Sequence, residues 1–431
     1  MNIFARLAAK RHDTGLRRYT KNLGWMFFAR IGTMAIGLLA TAYIARNLGP
    51  TSYGELSYAI SFVMLVGMFA SLGIDQTISR ELILFPEKRN AVMGTALSMR
   101  LGAGIFAMVL CILLAYFISP HDVSLLLIFI ISSTLVLSSF SLLGQEFQAQ
   151  VESKWPSIAS IIIVTILNLF KIVIIMFGGG VLYLAAILVL EPILYAGSYI
   201  YLRTKRFGAL QTLSFDPVLA RLIIADATPL ILVSAFSTIY ARIDQIFIKH
   251  MIDATSVGLY DAAVRLSEVW YFVPGIIIAG LLPAIGNAKK TNDILYRKRI
   301  QKLFFFLFAA TLTLALLTSI IAKPLVAIVF GAAFAGAAPV LMLYIWSNIG
   351  AALTHITHQI LLLERLPKYI LFSSFFGMAA NLILCIMLIP KYGMLGAAFG
   401  SLVAYILPFL SLFLLPKTRT LLTNILFAHK R

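Results

Sequence analysis

The chain has 431 residues, of which 61% are hydrophobic and only 12% are charged, and its mean hydropathy is +0.95. Soluble domains carry about 25% charged residues, so this composition excludes a soluble globular protein and indicates a polytopic membrane protein. The formal net charge of +18 would suit a nucleic-acid partner, but in a membrane protein it more often marks the loops that stay in the cytoplasm.

Runs of about 20 apolar residues predict an all-α fold with twelve transmembrane helices. A basic leader precedes the first helix. The predicted helices span residues 23–45, 55–75, 92–117, 123–143, 157–177, 181–202, 222–248, 257–285, 301–321, 335–363, 369–389 and 393–415. An even number of crossings returns the chain to the side on which it starts.

The basic residues are divided unevenly between the two sides of the membrane. Most of the 35 Lys and Arg residues lie in the leader, in alternate loops and in the C-terminal tail. The opposite loops are short and hold only Arg46, Lys249, Lys323 and Lys391. By the positive-inside rule we expect both termini in the cytoplasm, which also removes the need for a nucleic-acid partner. The short outer loops leave no domain in which a catalytic site could be assembled.

Identical residues recur between the two halves in two registers, pairing Asn168 with Asn381, Gly180 with Gly393, Thr51 with Thr255 and Gly54 with Gly258. A shift of six helices preserves direction, so the sequence predicts two parallel six-helix bundles around a central cavity. The predicted domains are 1–202, which includes the leader, and 222–431, joined by a cytoplasmic linker at 203–221. Such halves commonly alternate the access to a site between them, which favours transport.

Basic side chains at membrane depth predict a cationic cavity. Each ionised residue at the bilayer centre costs about 2.5 to 3.5 kcal/mol, so it normally faces water or a partner rather than lipid. Arg242, Arg265 and Lys171 reach a similar level in the outer half, and Arg30 lies nearer the cytoplasmic end. Guanidinium groups suit a diphosphate, because their planar fork donates two hydrogen bonds to paired oxygens. Internal ion pairs or snorkelling are the alternative explanation.

Two acids of the predicted spans lie beside prolines and are candidates for coupling transport to H+ or Na+. Glu191 precedes Pro192 in mid-span, and Asp226 lies three residues before Pro229. A residue at the start of a helix, at the cytoplasmic interface, is the alternative interpretation of Asp226.

Two further acids, Asp244 and Glu268, are candidates for the same coupling. Asp244 and Arg242 lie on different faces of one helix and cannot pair directly. Glu268 and Arg265 share a face, so that pair could instead neutralise itself.

Metal binding and cofactors are not expected. His355 and His358 lie one turn apart, but no carboxylate or cysteine partner is close to them in sequence. Two histidines alone do not complete a zinc site, so we interpret them as a polar cavity wall or a helix contact.

Several short segments resemble the polysaccharide-biosynthesis flippases, the opening one resembling the O-antigen type. They are residues 45–54 (Ala-Arg-Asn-Leu-Gly-Pro-Thr-Ser-Tyr-Gly), 72–75, 80–81, 242–245, 258–274 and 392–398. The resemblance implies membership of the multidrug, oligosaccharidyl-lipid and polysaccharide exporter superfamily. Arg242 and Arg265 lie within these segments, whereas Arg30 and Lys171 are predicted as cavity residues only from their depth in the membrane.

The resemblance further implies a cargo of undecaprenyl-diphosphate-linked oligosaccharide, carried to the outer leaflet of the bacterial inner membrane. A glycan polymerase is a candidate partner, and we expect a functional monomer. One alternative is an exporter of drugs or of a peptidoglycan precursor from the same superfamily. The alternative from another class is a membrane glycosyltransferase, polymerase or ligase acting on lipid-linked sugars.

Overall fold

The computed structural model describes residues 14–118 and 123–426, which form helices, turns and short connections with no strand among them. Residues 1–13, which hold most of the predicted basic leader, lie outside the described residues. The all-α prediction is confirmed. In a bilayer, a helix satisfies every backbone donor and acceptor within one segment, which is why apolar runs adopt it.

The α-helices, numbered in chain order, are α1 (Thr14–Ser71), α2 (Asp75–Leu84), α3 (Arg89–Ile118), α4 (Val123–Ser132), α5 (Thr134–Leu137), α6 (Gly144–Ala149), α7 (Lys154–Met176), α8 (Val181–Arg206), α9 (Pro217–Met251), α10 (Ala254–Glu268), α11 (Phe272–Thr291), α12 (Asp293–Phe330), α13 (Ala337–Tyr344), α14 (Ser347–Leu363), α15 (Pro367–Tyr392), α16 (Met394–Ser411) and α17 (Pro416–Leu426). A 3-10 segment, Ser138–Leu143, joins α5 to α6.

Eleven helical segments of the described chain are long and apolar enough to cross a membrane. Twelve were predicted; the difference arises in α1, where Gly24–Ser71 covers two predicted helices in 48 residues. Gly49 interrupts this helix with φ 75° and ψ 168°, and Pro50 follows it. Glycine adopts this left-handed φ without the steric cost that a side chain would add. The two predicted spans therefore meet at a backbone break rather than at a loop.

Large apolar side chains remain exposed along the long helices, as expected for a surface that faces hydrocarbon. Phe117, Ile320 and Ile328 are 78%, 76% and 72% exposed. A water-soluble protein rarely exposes apolar patches of such extent. Together with the eleven apolar helices, these faces identify a multi-pass membrane protein.

The helices group into two compact units. The first unit comprises the described residues up to Ile44 together with Phe69–Thr228, and the second comprises Ala45–Met68 together with Pro229 to the end of α17. The C-terminal half of α1 thus packs with the second unit. The sequence-based division at 203–221 stays a prediction, but helix extends into both of its ends, since α8 runs to Arg206 and α9 begins at Pro217.

Within the second unit, α1 and α10 contact each other through repeat-related residues. Thr51 Oγ1 lies 2.8 Å from Thr255 Oγ1. A Cβ added to Gly54 would lie 1.8 Å from the Ala254 carbonyl oxygen, and one added to Gly258 would lie 2.1 Å from that of Pro50. The two contacts mirror each other, so the sequence repeat coincides with a symmetric helix crossing that only glycine permits at both positions.

Candidate functional site

Arg265 is held at one edge of its guanidinium group and open at the other. Its Nε donates to Asp261 Oδ2 at 2.6 Å, one helical turn earlier on α10. The Asp261 side chain is 3% exposed, whereas that of Arg265 is 35% exposed. Nothing else in the described part of the chain bonds the two terminal amino groups. An anion could therefore accept hydrogen bonds from them without displacing Asp261.

Arg242 has a similar arrangement on α9. Its Nη2 donates to Glu268 Oε2 at 2.9 Å, and the two side chains are 19% and 22% exposed. One such bond uses only one of the five guanidinium donors. The sequence spacing predicted that Arg265 and Glu268 could pair with each other. In the structure Arg265 pairs with Asp261, and Glu268 pairs with Arg242. The i, i−4 spacing of Asp261 to Arg265 and the position of Arg242 on the preceding helix account for this exchange.

Asp261 is the centre of this cluster and was missed in the sequence. It accepts hydrogen bonds from Tyr53 Oη at 2.5 Å, from Ser57 Oγ at 3.1 Å and from Gln245 Nε2 at 3.0 Å. Ser61 Oγ in turn donates to Gln245 Oε1 at 2.7 Å. A buried carboxylate is tolerated only when it is paired and hydrogen-bonded, and these donors meet that requirement.

Aromatic rings lie beside the arginines. Tyr405 packs edge-on against Tyr240 and Tyr271, with centroid distances of 5.1 and 5.4 Å, and Tyr344 lies at 6.5 Å. Tyr344 and Tyr405 lie near the Arg242 guanidinium group. The second unit thus combines two partly exposed guanidinium groups with an aromatic wall.

Asp244 lies in a separate buried site of the same unit, with 1% exposure. Its carboxylate accepts hydrogen bonds from the Tyr260 hydroxyl and from Ser401 Oγ, the latter at 2.9 Å. Asn381 Nδ2 approaches Ser401 Oγ at 3.5 Å. A carboxylate flanked by hydroxyl oxygens can bind a hard cation, and the carboxylate alone can take a proton.

Arg30 lines a polar pocket of about 220 Å³ within the first unit. Its neighbours there are mostly hydroxyl and amide side chains, including Gln145, Gln148, Ser160 and Tyr199. Ser160 Oγ lies 2.8 Å from the hydroxyl of Tyr195. Such groups can both donate to and accept from the hydroxyls of a sugar.

The remaining predicted site residues lie elsewhere in the first unit. Lys171 and Glu191 are half-buried on α7 and α8 and do not line the Arg30 pocket. Asp226 forms an exposed ion pair with Arg80, at 2.6 Å. This hydrogen bond, together with that to Glu81, raises the pKa of the Arg80 guanidinium above its ordinary value. Of the predicted site residues, the structure therefore joins Arg242 with Glu268.

His358, one of the two predicted histidines, contacts a neighbouring helix. His358 Nε2 lies 3.0 Å from Ser373 Oγ. No group of three or more His, Cys, Asp or Glu side chains able to hold a metal is found in residues 14–118 and 123–426. The assignment of these histidines to a polar wall stays a prediction.

Comparison with known sequences agrees with this architecture. The family model for polysaccharide biosynthesis proteins matches residues 19–289. The succinoglycan biosynthesis transport protein ExoT of Rhizobium meliloti (strain 1021) is 23% identical over 345 residues, which cover 75% of this chain and 64% of that protein. The matched region thus spans just under two thirds of that relative.

Comparison with solved structures identifies the fold. An inward-facing multidrug resistance MATE family transporter of the MOP superfamily has a TM-score of 0.69 and 12% identity, with 91% of this chain and 95% of that chain covered. The lipid II flippase MurJ, in an inward closed conformation, has a TM-score of 0.69 and 14% identity, with 92% and 87% covered. The chain has the fold that these membrane proteins share.

Proposed function

The chain belongs to the polysaccharide biosynthesis protein family, and from that premise we propose that it translocates an undecaprenyl-diphosphate-linked oligosaccharide across the bacterial inner membrane. The cargo is an O-antigen or exopolysaccharide repeat unit, and the protein moves it to the outer leaflet by alternating access. Both termini lie in the cytoplasm, and the functional unit is a monomer. The similar proteins named above are transporters and a flippase, which supports transport over enzymatic sugar transfer.

One observation carries the proposal: the guanidinium groups of Arg242 and Arg265 are anchored without being saturated. Each is fixed by one acid, Glu268 or Asp261, and each retains unused donors and partial exposure. Arginine binds phosphate oxygens with the planar edge that these anchors leave open. The acids hold the guanidinium groups in position, so less conformational entropy is lost when the diphosphate binds.

The Arg30 pocket binds the saccharide part of the cargo. A sugar presents hydroxyls that need both donors and acceptors, and the amides of Gln145 and Gln148 and the Tyr199 hydroxyl supply both. Arg30 adds a positive charge for an acidic sugar or for the diphosphate. Lys171 contributes positive charge on α7.

Ion coupling is assigned to Asp244. Its burial and its two hydroxyl donors make it the acid best suited to bind and release H+ or Na+. Glu268 couples less directly, because binding of a diphosphate to Arg242 weakens their ion pair. Glu191 and Asp226 are secondary candidates, and Asp226 is already paired with Arg80.

The test is transport by the purified protein in liposomes that carry a fluorescent undecaprenyl-diphosphate-linked oligosaccharide in both leaflets. A membrane-impermeant reagent that quenches the outer leaflet reports movement between leaflets. We expect the wild-type protein to make all of the labelled lipid accessible and the Arg242→Lys, Arg265→Lys variant to leave about half protected. Equal rates in the two proteins would overturn the proposed site.

An exporter of drugs or of a peptidoglycan precursor is the second candidate, favoured by the likeness to the MATE transporter and to the lipid II flippase. The same liposomes distinguish it. Movement of lipid II or of a cationic drug faster than that of the oligosaccharide lipid would favour this candidate.

A further inference from the structure

The first unit carries a second pocket, of about 830 Å³, whose residues have no part in the transport proposed above. We call it the interfacial pocket. Aromatic side chains (Trp25, Trp155 and Tyr201) and basic ones (Lys154, Lys205 and Arg206) line it. Its volume lies within the range of about 300 to 1,000 Å³ that is typical of small-molecule sites.

The interfacial pocket lies at the level where membrane spans begin and end. Lys154–Met176 begins beside it, and Val181–Arg206 ends beside it. Two of its aromatic rings, those of Trp155 and Tyr201, are 54% and 62% exposed. Aromatic rings at span ends take up positions among lipid headgroups. The pocket therefore opens at headgroup depth rather than into the hydrocarbon or the aqueous phase.

The basic side chains that line the pocket outnumber the acidic ones. Its lining has three basic residues and one acid, Glu152. Arg206 donates to both carboxylate oxygens of Glu152, at 2.9 and 2.6 Å, which uses two of its five donors. Within residues 14–118 and 123–426, neither Lys154 nor Lys205 forms an ion pair.

The ammonium groups of Lys154 and Lys205, which line the pocket, lie over aromatic rings. Lys154 Nζ lies 4.8 Å from the ring centroid of Trp155 and 5.8 Å from that of Trp25. Lys205 Nζ lies 5.8 Å from the ring of Tyr201. Cation–π contacts orient an ammonium group but leave its N–H donors free for an anion on the opposite side.

We propose that the interfacial pocket binds an anionic phospholipid. The phosphate lies between Lys154, Lys205 and Arg206, and the upper part of the acyl chains lies against Trp25 and Trp155. Basic pockets between transmembrane helices on the cytoplasmic side bind anionic headgroups by this combination of charge and apolar contact. Aromatic residues that only anchored the helices would require neither a cavity nor surplus positive charge.

The experiment titrates the purified full-length protein in neutral detergent with phosphatidylglycerol or phosphatidylcholine and counts bound lipids by native mass spectrometry. The test variant is Lys154→Ala with Lys205→Ala. The control, Lys298→Ala with Lys302→Ala, removes the same charge from two exposed lysines of the second unit. Each lysine near an anionic phosphate contributes a factor of about five, so the test variant should bind phosphatidylglycerol roughly 30-fold more weakly. The control should retain the wild-type affinity.

Equal loss in the test and control variants, or no preference for phosphatidylglycerol in the wild-type protein, would overturn the proposal. Competition identifies the source of the phosphate. Displacement of phosphatidylglycerol by inorganic phosphate would reveal a free-anion site, and stronger binding of undecaprenyl diphosphate would reveal a docking site for the cargo. Either result would also overturn the phospholipid assignment, whereas failure of both competitors to displace the lipid supports it.

Discussion

Two ion pairs in this molecule combine the same chemical groups but differ in burial. In the first unit, Arg203 and Glu146 lie 3.0 Å apart and both side chains are 0% exposed. Arg203 also donates to the carbonyl oxygens of Gly208 and Ala209, at 2.5 and 3.0 Å. In the second unit, Arg265 makes one bond to Asp261 and keeps 35% of its side chain exposed.

The difference indicates how a structural arginine can be distinguished from the arginine that we propose binds the diphosphate. A guanidinium group whose surface is fully covered can only fix the helices around it. One that is anchored at a single edge and half-open can still accept a ligand. Burial, rather than ionic pairing as such, distinguishes the two.

The largest expected effect of a single substitution on folding is that of Arg203→Ala. It leaves Glu146 as an unpaired buried charge, which should cost about 3 to 5 kcal/mol of unfolding free energy. Thermal unfolding of the purified protein and its abundance in membranes both measure this loss.

Arg206→Ala is the matched control for Arg203→Ala. Arg206 lies on the same helix as Arg203, but its ion pair with Glu152 is exposed. Exposed pairs contribute about 0 to 1 kcal/mol, so this variant should unfold almost like the wild type. If the two alanine variants were equally stable, burial would not separate the two kinds of arginine.

Arg265→Lys should show the opposite pattern, with nearly normal stability and impaired transport. Lysine keeps a positive charge near Asp261 but lacks the planar fork that binds a phosphate group. A charge-assisted hydrogen bond contributes about 1.5 to 3 kcal/mol, so transport should fall roughly 10- to 100-fold. Initial rates in the liposome assay check this, and an Arg265→Lys protein that unfolds but transports normally would reverse the assignment.

Asp244→Asn should separate transport from its ion gradient without disturbing the fold. The amide oxygen still accepts from the Tyr260 hydroxyl and from Ser401 Oγ, and only the bond from the Gln245 backbone N–H to the other carboxylate oxygen is lost. We expect transport that no longer responds to an imposed H+ or Na+ gradient, measured by applying each gradient separately. A variant that responds as strongly as the wild type would remove Asp244 from the coupling site.

The smallest effect is expected from Gln148→Ala in the Arg30 pocket. One neutral hydrogen bond to a sugar hydroxyl contributes about 0.5 to 1.5 kcal/mol, or roughly a two- to tenfold loss of affinity. Gln211→Ala, outside the pocket, is the control. Binding of the oligosaccharide lipid, compared with that of the same lipid without sugars, measures the difference, and equal binding by both variants would exclude a saccharide contact at Gln148.

Local sequence signals predicted the helices but not the side chains that pair with Arg242 and Arg265. Apolar runs fix the spans, because the bilayer requires backbone satisfaction within each segment. The sequence predicted two helices separated by a loop, whereas the structure has one long helix with a break at Gly49. A single residue with positive φ is enough to make this break, so no loop is needed. Tyr53 and Ser57 reach Asp261 from far along the chain, which no local pattern reveals.

Arg203 illustrates the same limit in the first unit. It was assigned to the cytoplasmic linker at 203–221 because the preceding predicted span ended at residue 202. The structure extends α8 past it and buries it against Glu146, a partner on α6 that its neighbours in sequence do not indicate. A signal for Asp261 was present in its i, i+4 spacing to Arg265, but that spacing alone does not distinguish a surface pair from a buried one.

Binding of undecaprenyl diphosphate to the purified protein, compared with that of undecaprenol, tests most directly whether the half-open arginines hold the diphosphate. We predict that the wild-type protein prefers the diphosphate lipid and that Arg242→Lys with Arg265→Lys abolishes most of this preference while the protein remains folded. A preference that survives in the folded double variant would contradict the assignment of these two residues.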